Sequence, residues 1–337
     1  MTNRTRPATA PLVLLTDPID ARSQESLSQV ASVLVVSVNG TNWLEAAREA
    51  SIIVVRSPIP ESLPAQAQKL LGFVRYGAGV DMIPVAEASR HGIAVANAPN
   101  ANSNAVVEYV IGQLLNLARK LSEVDRIARA TGWHAARALA PSNSELRGKT
   151  IAIVGMGNIG GLLAQKCQAA FDMKVIAVRR PNSRNASQFA SASLEEAASQ
   201  ADALVLACPL TNETRHLIST RILGLMKPGA WLINVSRGPV VDENALVHAL
   251  EEGKLGGAAL DVFTSQPLPS DSQLLALPNV LLSPHVAGIT DESLDLIGQL
   301  VIQQTLALLS GKLPQHLVNR DSSEAISRRL ARLGASP

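Results

Sequence analysis

The feature that most limits the fold is a rhythm. Short runs rich in β-branched residues recur at 13–15, 32–36, 52–55, 72–75 and 93–95, and again at 150–154, 174–178, 203–207, 231–235, 258–262 and 280–283. Helical patterns alternate with them. Strands separated by helical segments of a dozen or more residues build βαβ units and parallel sheets. Two such series predict an α/β chain with two doubly wound parallel sheets. Length agrees: 337 residues, at roughly 150 per domain, suggest about two domains. With 47% hydrophobic and 17% charged residues, the chain can fill both cores, and wholesale disorder is excluded.

Between the two series lies a long helical stretch, in which Val106, Val107, Val110, Ile111, Leu114, Leu115, Leu121 and Val124 keep the i, i+3, i+4, i+7 spacing. A final long helix is expected from near Thr290, with Asp291 and Glu292 favourable in its first turn. It runs through Leu294, Ile297, Leu300 and Val301 to Gly311, where glycine and then Pro314 stop it. Past Asn319 the chain is polar, and Arg328, Arg329 and Arg332 read as part of a solvated terminal helix.

Counts exclude several classes. Lys+Arg 30 against Asp+Glu 28 leaves +2, too mild a balance to advertise nucleic-acid binding. Cys167 and Cys208 alone cannot form a disulfide framework or a cysteine-rich zinc site. No apolar run approaches the 18 or more residues of a membrane span. The apolar stretch after Arg4 and Arg6 is too short for a signal peptide. The expectation is a soluble, cytoplasmic globular protein with neither nucleic acid nor membrane as partner.

Residues 149–154, Lys-Thr-Ile-Ala-Ile-Val, read as a strand running into Gly155-Met-Gly157-Asn158-Ile159-Gly160, after which 162–170 read as helix. A GxGxxG alone is a weak signal, but at a strand-to-helix turn it has a mechanism. Gly155 allows the tight turn, Gly157 admits a pyrophosphate to the backbone, and Gly160 lets the helix pack close to the sheet, its N-terminus attracting the phosphates. The next strand, 175–178, is followed by Arg179, Arg180 and Arg184. NAD sites usually place an Asp or Glu there for the ribose hydroxyls. Adjacent guanidiniums suit the 2′-phosphate of NADP instead. The expected cofactor is NADP(H), with NAD(H) the alternative.

Later strands end in polar residues, the edge at which open α/β sheets bind ligands. Asn234-Val-Ser-Arg237-Gly-Pro-Val-Val-Asp242 follows one, Asp261-Val-Phe-Thr-Ser-Gln266 the next, and Ser283-Pro-His285-Val-Ala-Gly288 the last. With Tyr76-Gly77-Ala78-Gly79-Val-Asp81, Asn97-Ala-Pro-Asn-Ala-Asn102-Ser103 and Pro209-Leu-Thr-Asn-Glu-Thr214, the chain resembles the D-2-hydroxyacid dehydrogenase family. That family includes phosphoglycerate dehydrogenase and glyoxylate/hydroxypyruvate reductase, and the resemblance covers nearly the whole chain. It implies a flavodoxin-like substrate domain built from both chain ends, 1–104 and 292–337, the latter a C-terminal helix and tail. A Rossmann-type NAD(P)-binding domain, 105–291, is inserted in it, with the active site in the cleft. It also implies a homodimer joined largely through the helical arm after Asn104.

Moving a hydride onto a 2-oxo acid needs a cation for the carboxylate and carbonyl and a proton donor for the new alkoxide. Arg237 matches the family's catalytic arginine, always charged and able to bind two oxygens at once. His285 matches the acid/base, the side chain that titrates near neutral pH. The remaining histidines, at 91, 134, 216, 248 and 316, show no metal-ligand spacing, and no metal is expected. Family members carry a Glu that hydrogen-bonds the catalytic histidine; this chain has Gln266 there. Glutamine can still accept a hydrogen bond from the ring and fix its tautomer. It supplies no negative charge, so His285 should titrate lower than in a Glu-containing relative.

The resemblance also assigns the supporting residues. Gly77, Ala78 and Gly79 offer backbone N–H groups to the substrate carboxylate, since glycine permits close approach. Arg56 and Asn102 fall with the substrate, Arg56 suiting an anionic or hydroxylated tail. Asp261 falls with the nicotinamide carboxamide and Pro209 with the adenine side. Asn158, Ile159, Thr214, Val235 and Gly288 complete the cofactor set. Neither cysteine reads as a nucleophile. The chain is expected to be an oxidoreductase acting on CH–OH groups, working on a small 2-oxo/2-hydroxy acid such as hydroxypyruvate or glyoxylate. The alternatives are an NAD-dependent phosphoglycerate-type dehydrogenase and a catalytically weakened dinucleotide-sensing binding protein. Choice of substrate side chain lies in loop geometry around Arg56, Arg75 and Tyr76.

Overall fold

The computed structural model describes residues 10–179 and 188–334. They fall into two compact units: the chain up to Asn102 together with Thr290 onward, and Ser103–Ile289.

The first unit holds a five-stranded sheet of β1 (Leu12–Leu15), β2 (Ser32–Val35), β3 (Ile52–Val55), β4 (Gly72–Arg75) and β5 (Ala94–Ala96). All pairings are parallel, in the order β2-β1-β3-β4-β5. This is the flavodoxin-like 2-1-3-4-5 arrangement. The strands read as continuous apolar runs because both faces are covered. Val13 and Leu15 pack on one side with Ile52 and Val54, while Leu14 packs on the other with Ile53, Phe73 and Trp43. Helix Asp291–Leu309 covers the first face through Ile297, Val301 and Leu308. Its start follows the expected signals: Thr290 Oγ1 accepts the Ser293 N–H at 3.1 Å, and Asp291 and Glu292 occupy the first turn.

The polar tail departs from expectation. Helix Ser323–Gly334 buries Ile326 and Leu330 in the same core as Val13 and Leu15. Arg329 is 8% exposed. Its guanidinium donates to the carbonyls of Leu70 at 2.7 Å, Ala67 at 2.9 Å, Gln68 at 2.9 Å and His91 at 3.2 Å. Carbonyls that end a helical turn lack intrahelical partners, and Arg329 supplies donors to them; that of Ala67 also accepts the Leu70 N–H at 3.3 Å. The helix is docked rather than solvated.

The second unit holds, among its described residues, a seven-stranded parallel sheet: β6 (Thr150–Val154), β7 (Lys174–Val178), β8 (Ala190–Ala192), β9 (Ala203–Leu206), β10 (Ala230–Asn234), β11 (Leu255–Leu260) and β12 (Val280–Leu282). The order β12-β11-β10-β9-β6-β7-β8 contains the 3-2-1-4-5-6 order of a Rossmann sheet. Faces alternate again, Ile151 and Ile153 to one side and Ala152 and Val154 to the other.

Three features of this unit differ from the sequence expectation. Strand β8 carries no β-branched residue, being Ala-Ser-Ala at an edge. Strand β11 begins three residues earlier than its apolar run, because Gly256 and Gly257 belong to it. A Cβ at Gly256 would lie 2.4 Å from the Gly229 carbonyl oxygen, and one at Gly257 2.7 Å from that of Asn279, so close strand approach requires glycine there. The long helical stretch is two helices, Ser103–Arg119 and Leu121–Ala130. Lys120 between them has φ +52°, a left-handed conformation that ends a right-handed helix.

Candidate active site

The second unit gathers polar groups at the carboxyl ends of its strands. At the end of β6, Gly155 takes φ +99°, and a Cβ there would stand 2.8 Å from the Ala207 carbonyl. Gly160, in the first turn of the helix Asn158–Phe171, lies so close to the glycine turn that a Cβ would stand 1.9 Å from the Gly155 oxygen. At Gly157 a Cβ would meet nothing within 4 Å. Two glycines are thus demanded by packing, and the third leaves open backbone at a helix start, the place where a pyrophosphate is held. Asn158 and Ile159 form the first turn of that helix. These residues fit a dinucleotide.

Strand β7 ends beside this turn. Val178 pairs with Val154, and its carbonyl accepts the Gly155 N–H at 3.1 Å, so Arg179 leaves the sheet next to the glycines. Arg180 and Arg184 lie outside the described residues. After β9, Thr214 closes the loop that begins at Pro209. Its hydroxyl donates to the Pro209 carbonyl at 2.8 Å and accepts the Thr211 N–H at 2.7 Å.

Arg237, Gln266 and His285 follow β10, β11 and β12, three neighbours in the sheet. Asn234, 1% exposed, shapes the arginine loop: its Oδ1 accepts the Ser236 N–H and its Nδ2 donates to the Arg237 carbonyl, both at 3.0 Å. Ser236 Oγ donates to the Cys208 carbonyl at 2.5 Å, and Val235 N–H donates to Leu206 at 3.3 Å. Gly238 makes backbone contact with the next loop, where a Cβ would sit 1.9 Å from the Phe263 carbonyl carbon. Glu243 Oε2 accepts the Thr264 N–H of that same loop at 3.0 Å.

His285 and Gln266 meet. The ring Nδ1 lies 3.2 Å from Gln266 Oε1, and Gln266 Nε2 donates to the Phe263 carbonyl at 3.4 Å. An amide oxygen only accepts, so Nδ1 carries hydrogen and Nε2 is the basic nitrogen of the neutral ring. The histidine itself has φ +58°, which costs a side-chain-bearing residue of order 1 kcal/mol or more. Asp261 holds it there. That carboxylate, 2% exposed, accepts from Val286 N at 2.8 Å, Ala287 N at 2.9 Å and Ser283 Oγ at 2.5 Å. The Asp261 carbonyl accepts the His285 N–H at 2.9 Å. Tyr109 OH lies 2.6 Å from Ser283 Oγ, and burial raises that phenol above its ordinary pKa. Gly288 sits half-buried just past this loop. Cys167 is fully buried, which pushes its thiol up to about 12.

The first unit has its own polar edge. Thr16 and Asp17 follow β1, and Arg56 and Ser57 follow β3, its neighbour in the sheet. Thr16 Oγ1 accepts the N–H groups of Arg56 at 2.8 Å and Ser57 at 3.0 Å. Ser57 Oγ donates to Asp17 at 2.5 Å. The Arg56 guanidinium donates to the Pro18 carbonyl and stands 5.7 Å from the centre of the Tyr76 ring. Tyr76 donates to Asp20 at 2.5 Å. Burial opposes ionisation of Asp20, but the hydrogen bonds from Ser23 and Tyr76 outweigh it and hold the carboxyl below its ordinary value. The Gly77 N–H, expected to face a carboxylate, instead donates to the Arg75 carbonyl at 2.9 Å, while Ala78 and Gly79 lie half-buried in the turn after β4, and Asn102 immediately precedes helix Ser103–Arg119.

Asn234, Ser236, Gly238, Glu243, Ser283 and Tyr109 were given no role of their own from the sequence. Asn234 and Ser236 carried a readable signal, since an Asn two residues before a Ser at a strand end favours an Asx turn. The others act across 21 or more positions, and no local pattern marks them.

A fixed cation loop and a tautomer-defined imidazole on one sheet edge are suited to carbonyl reduction and its reverse. With the glycine cradle, they define the class as dinucleotide-dependent oxidoreductases. Comparison with known proteins agrees. The family profile described as D-isomer specific 2-hydroxyacid dehydrogenase, NAD binding domain, matches residues 111–287. A glyoxylate reductase from Thermococcus litoralis is 38% identical over 290 residues, covering 82% of this chain and 86% of the relative. A D-3-phosphoglycerate dehydrogenase from Methanocaldococcus jannaschii is 35% identical over 314 residues, covering 91% of this chain and 59% of the relative. A crystal structure of an NADPH-dependent glyoxylate/hydroxypyruvate reductase from Sinorhizobium meliloti, in complex with NADP and malonate, matches with TM-score 0.82. It is 29% identical and covers 94% of this chain and 98% of that one. The chain belongs to the D-isomer specific 2-hydroxyacid dehydrogenase family. It is an oxidoreductase of CH–OH groups, transferring hydride between a nicotinamide and 2-oxo acids.

Proposed function

We propose that the enzyme reduces a small 2-oxo acid, glyoxylate or hydroxypyruvate, and prefers NADPH. The observation that carries the chemistry is the His285 Nδ1–Gln266 Oε1 contact at 3.2 Å, which reserves Nε2 for the substrate. Arg237 binds the substrate carboxylate and polarises the carbonyl. Ala78 and Gly79 N–H groups bind the carboxylate from the turn after β4, with Arg56 and Asn102 nearer the tail. The bound nicotinamide supplies the hydride. As charge develops on the carbonyl oxygen, His285 Nε2 delivers its proton there and returns to the neutral ring, which is reprotonated from solvent. Gln266 holds the ring, and Asp261 holds the loop that carries it.

NADP selectivity is assigned to Arg179 and Arg180. Arg179 leaves β7 beside the glycine turn, where a carboxylate serves NAD, and the Sinorhizobium relative is described as NADPH-dependent. Gly157, Asn158 and Ile159 hold the pyrophosphate at the turn that Gly155 and Gly160 make possible, with Pro209, Thr214, Val235, Asp261 and Gly288 lining the rest. The unit with both chain ends handles the substrate and the other the dinucleotide. The enzyme works as a cytoplasmic homodimer; among the described residues no helix is long and apolar enough to cross a membrane.

The test is loss of reduced-nicotinamide absorbance with glyoxylate and with hydroxypyruvate, using NADPH and NADH at equal concentration. Faster turnover with NADPH is expected, and Arg179→Asp should reduce the preference about tenfold, equivalent to about 1.4 kcal/mol. Faster turnover with NADH would overturn the cofactor assignment and favour the phosphoglycerate-type alternative. Tight nicotinamide binding without turnover of any 2-oxo acid would favour a binding protein.

A further inference from the structure

We propose that Arg75 is a positioning residue: its guanidinium locks the 76–79 turn as a carboxylate site and does not recognise the substrate's tail. The proposal rests on the reading of that turn given above. Four successive carbonyls of the turn are each engaged within the unit. Arg75 Nη1 donates to Tyr76 O at 2.5 Å and Arg75 Nε to Gly79 O at 2.9 Å. Ala98 N–H donates to Gly77 O at 2.9 Å, and Asn97 Nδ2 to Ala78 O at 2.7 Å. Arg75 Nη1 also donates to Val55 O at 3.0 Å, which ties the turn to the end of the neighbouring strand β3.

The consequence is electrostatic. A carbonyl oxygen turned toward a bound anion would repel it, whereas consecutive N–H groups attract it. Every oxygen of the turn is occupied, and among the described residues no acceptor meets the Ala78 and Gly79 N–H groups. The turn therefore offers an anion only donors. Gly77 is part of the same device. It takes φ +137°, and a Cβ there would lie 3.6 Å from the guanidinium carbon, so the side chain of Arg75 is folded back beneath its own turn. A planar fork can reach three oxygens from one residue; a lysine ammonium on its flexible stem cannot reproduce that.

Substrate tails separate this from a recognition role, because glyoxylate has no side chain and hydroxypyruvate carries a hydroxymethyl group. The variants are Arg75→Met, Arg75→Lys and, as an independent lesion of the same turn, Asn97→Ala. The readouts are kcat and KM for both substrates, the dissociation constant of NADPH, and calorimetric binding of oxalate to the cofactor-loaded enzyme. The expected result for Arg75→Met is a KM raised about tenfold for both substrates alike, with kcat nearly kept, as for a loss of uniform binding. Oxalate affinity should fall by the same factor and NADPH affinity stay unchanged. Arg75→Lys should recover little, and Asn97→Ala should give the same pattern more weakly. A KM rise for hydroxypyruvate alone would overturn the proposal in favour of tail recognition. An unchanged KM and oxalate affinity in all three variants would overturn it outright. If Arg75→Met does not fold, Asn97→Ala and Arg75→Lys decide. A wild-type enzyme that binds oxalate but reduces neither substrate would refute the proposed activity while leaving the clamp to be judged by oxalate affinity. One that does neither would refute both.

Discussion

At Gln266 the chain places a neutral amide 3.2 Å from the ring of His285, the proposed proton donor. The Phe263 carbonyl, 3.4 Å from Nε2, orients the amide so that its oxygen faces His285. On the proposed mechanism the protonated ring is the donor in reduction, so activity is expected to hold below the pKa of His285 and to fall above it. A carboxylate at this position stabilises imidazolium and raises that pKa. Gln266→Glu is therefore expected to move the basic limb of the kcat/KM profile for reduction upward by about one pH unit. A limb that does not move would refute the link. That Arg237, Gln266 and His285 follow strand ends was legible because each lies in a motif directly after an apolar run. The support of His285 by Asp261 was not, since its ligands are 22 to 26 positions away and a carboxylate after a strand has many equivalent uses.

Elements were legible where the local pattern and the tertiary environment agreed. Buried central strands such as β3, with all four residues buried, announce themselves by composition. Edge strand β8 does not, because little of it is buried and little packing favours β-branched residues there. The tail helix misled for the opposite reason: a long side chain that reads as solvated can be consumed by carbonyls elsewhere. Arg329→Met should strand the carbonyls of Gln68, Leu70 and His91, costing about 2–3 kcal/mol as a lower urea midpoint. Asp202, between two strands, provides a pH test. Burial opposes its ionisation, but the Thr150 N–H at 2.7 Å and the Lys227 ammonium at 3.0 Å outweigh this and hold it below its ordinary 3.8. A depressed carboxyl stabilises the fold above its unfolded pKa, and the gain is lost as pH falls through the folded value. Asp202→Asn should lower the denaturation midpoint at pH 7, and the gap from wild type should close below about pH 3.8. A gap that persists in acid would exclude ionisation as its source.

For the whole molecule, the homodimer proposed above has a surface to match. Helix Leu121–Ala130 has no buried residue although Leu121, Val124 and Ile127 share one face, and Trp133 is 72% exposed. Light scattering should give a mass near twice 35.5 kDa, and Trp133→Ala should weaken association at least about tenfold. A monomer at micromolar concentration would rule the dimer out. The sequence by itself determined two parallel α/β sheets, the strand–glycine–helix turn and the polar strand ends. Periodicity and the backbone conformations of glycine act over a few residues, so a linear reading captures them. Only the tertiary structure decided that Arg75 turns back on its own loop, that Asp261 anchors the His285 loop and that Arg329 is buried 259 positions from its Leu70 partner. Polar groups take whichever unsatisfied partner the packing brings within about 3 Å, and residues distant in sequence meet only once the sheets have formed.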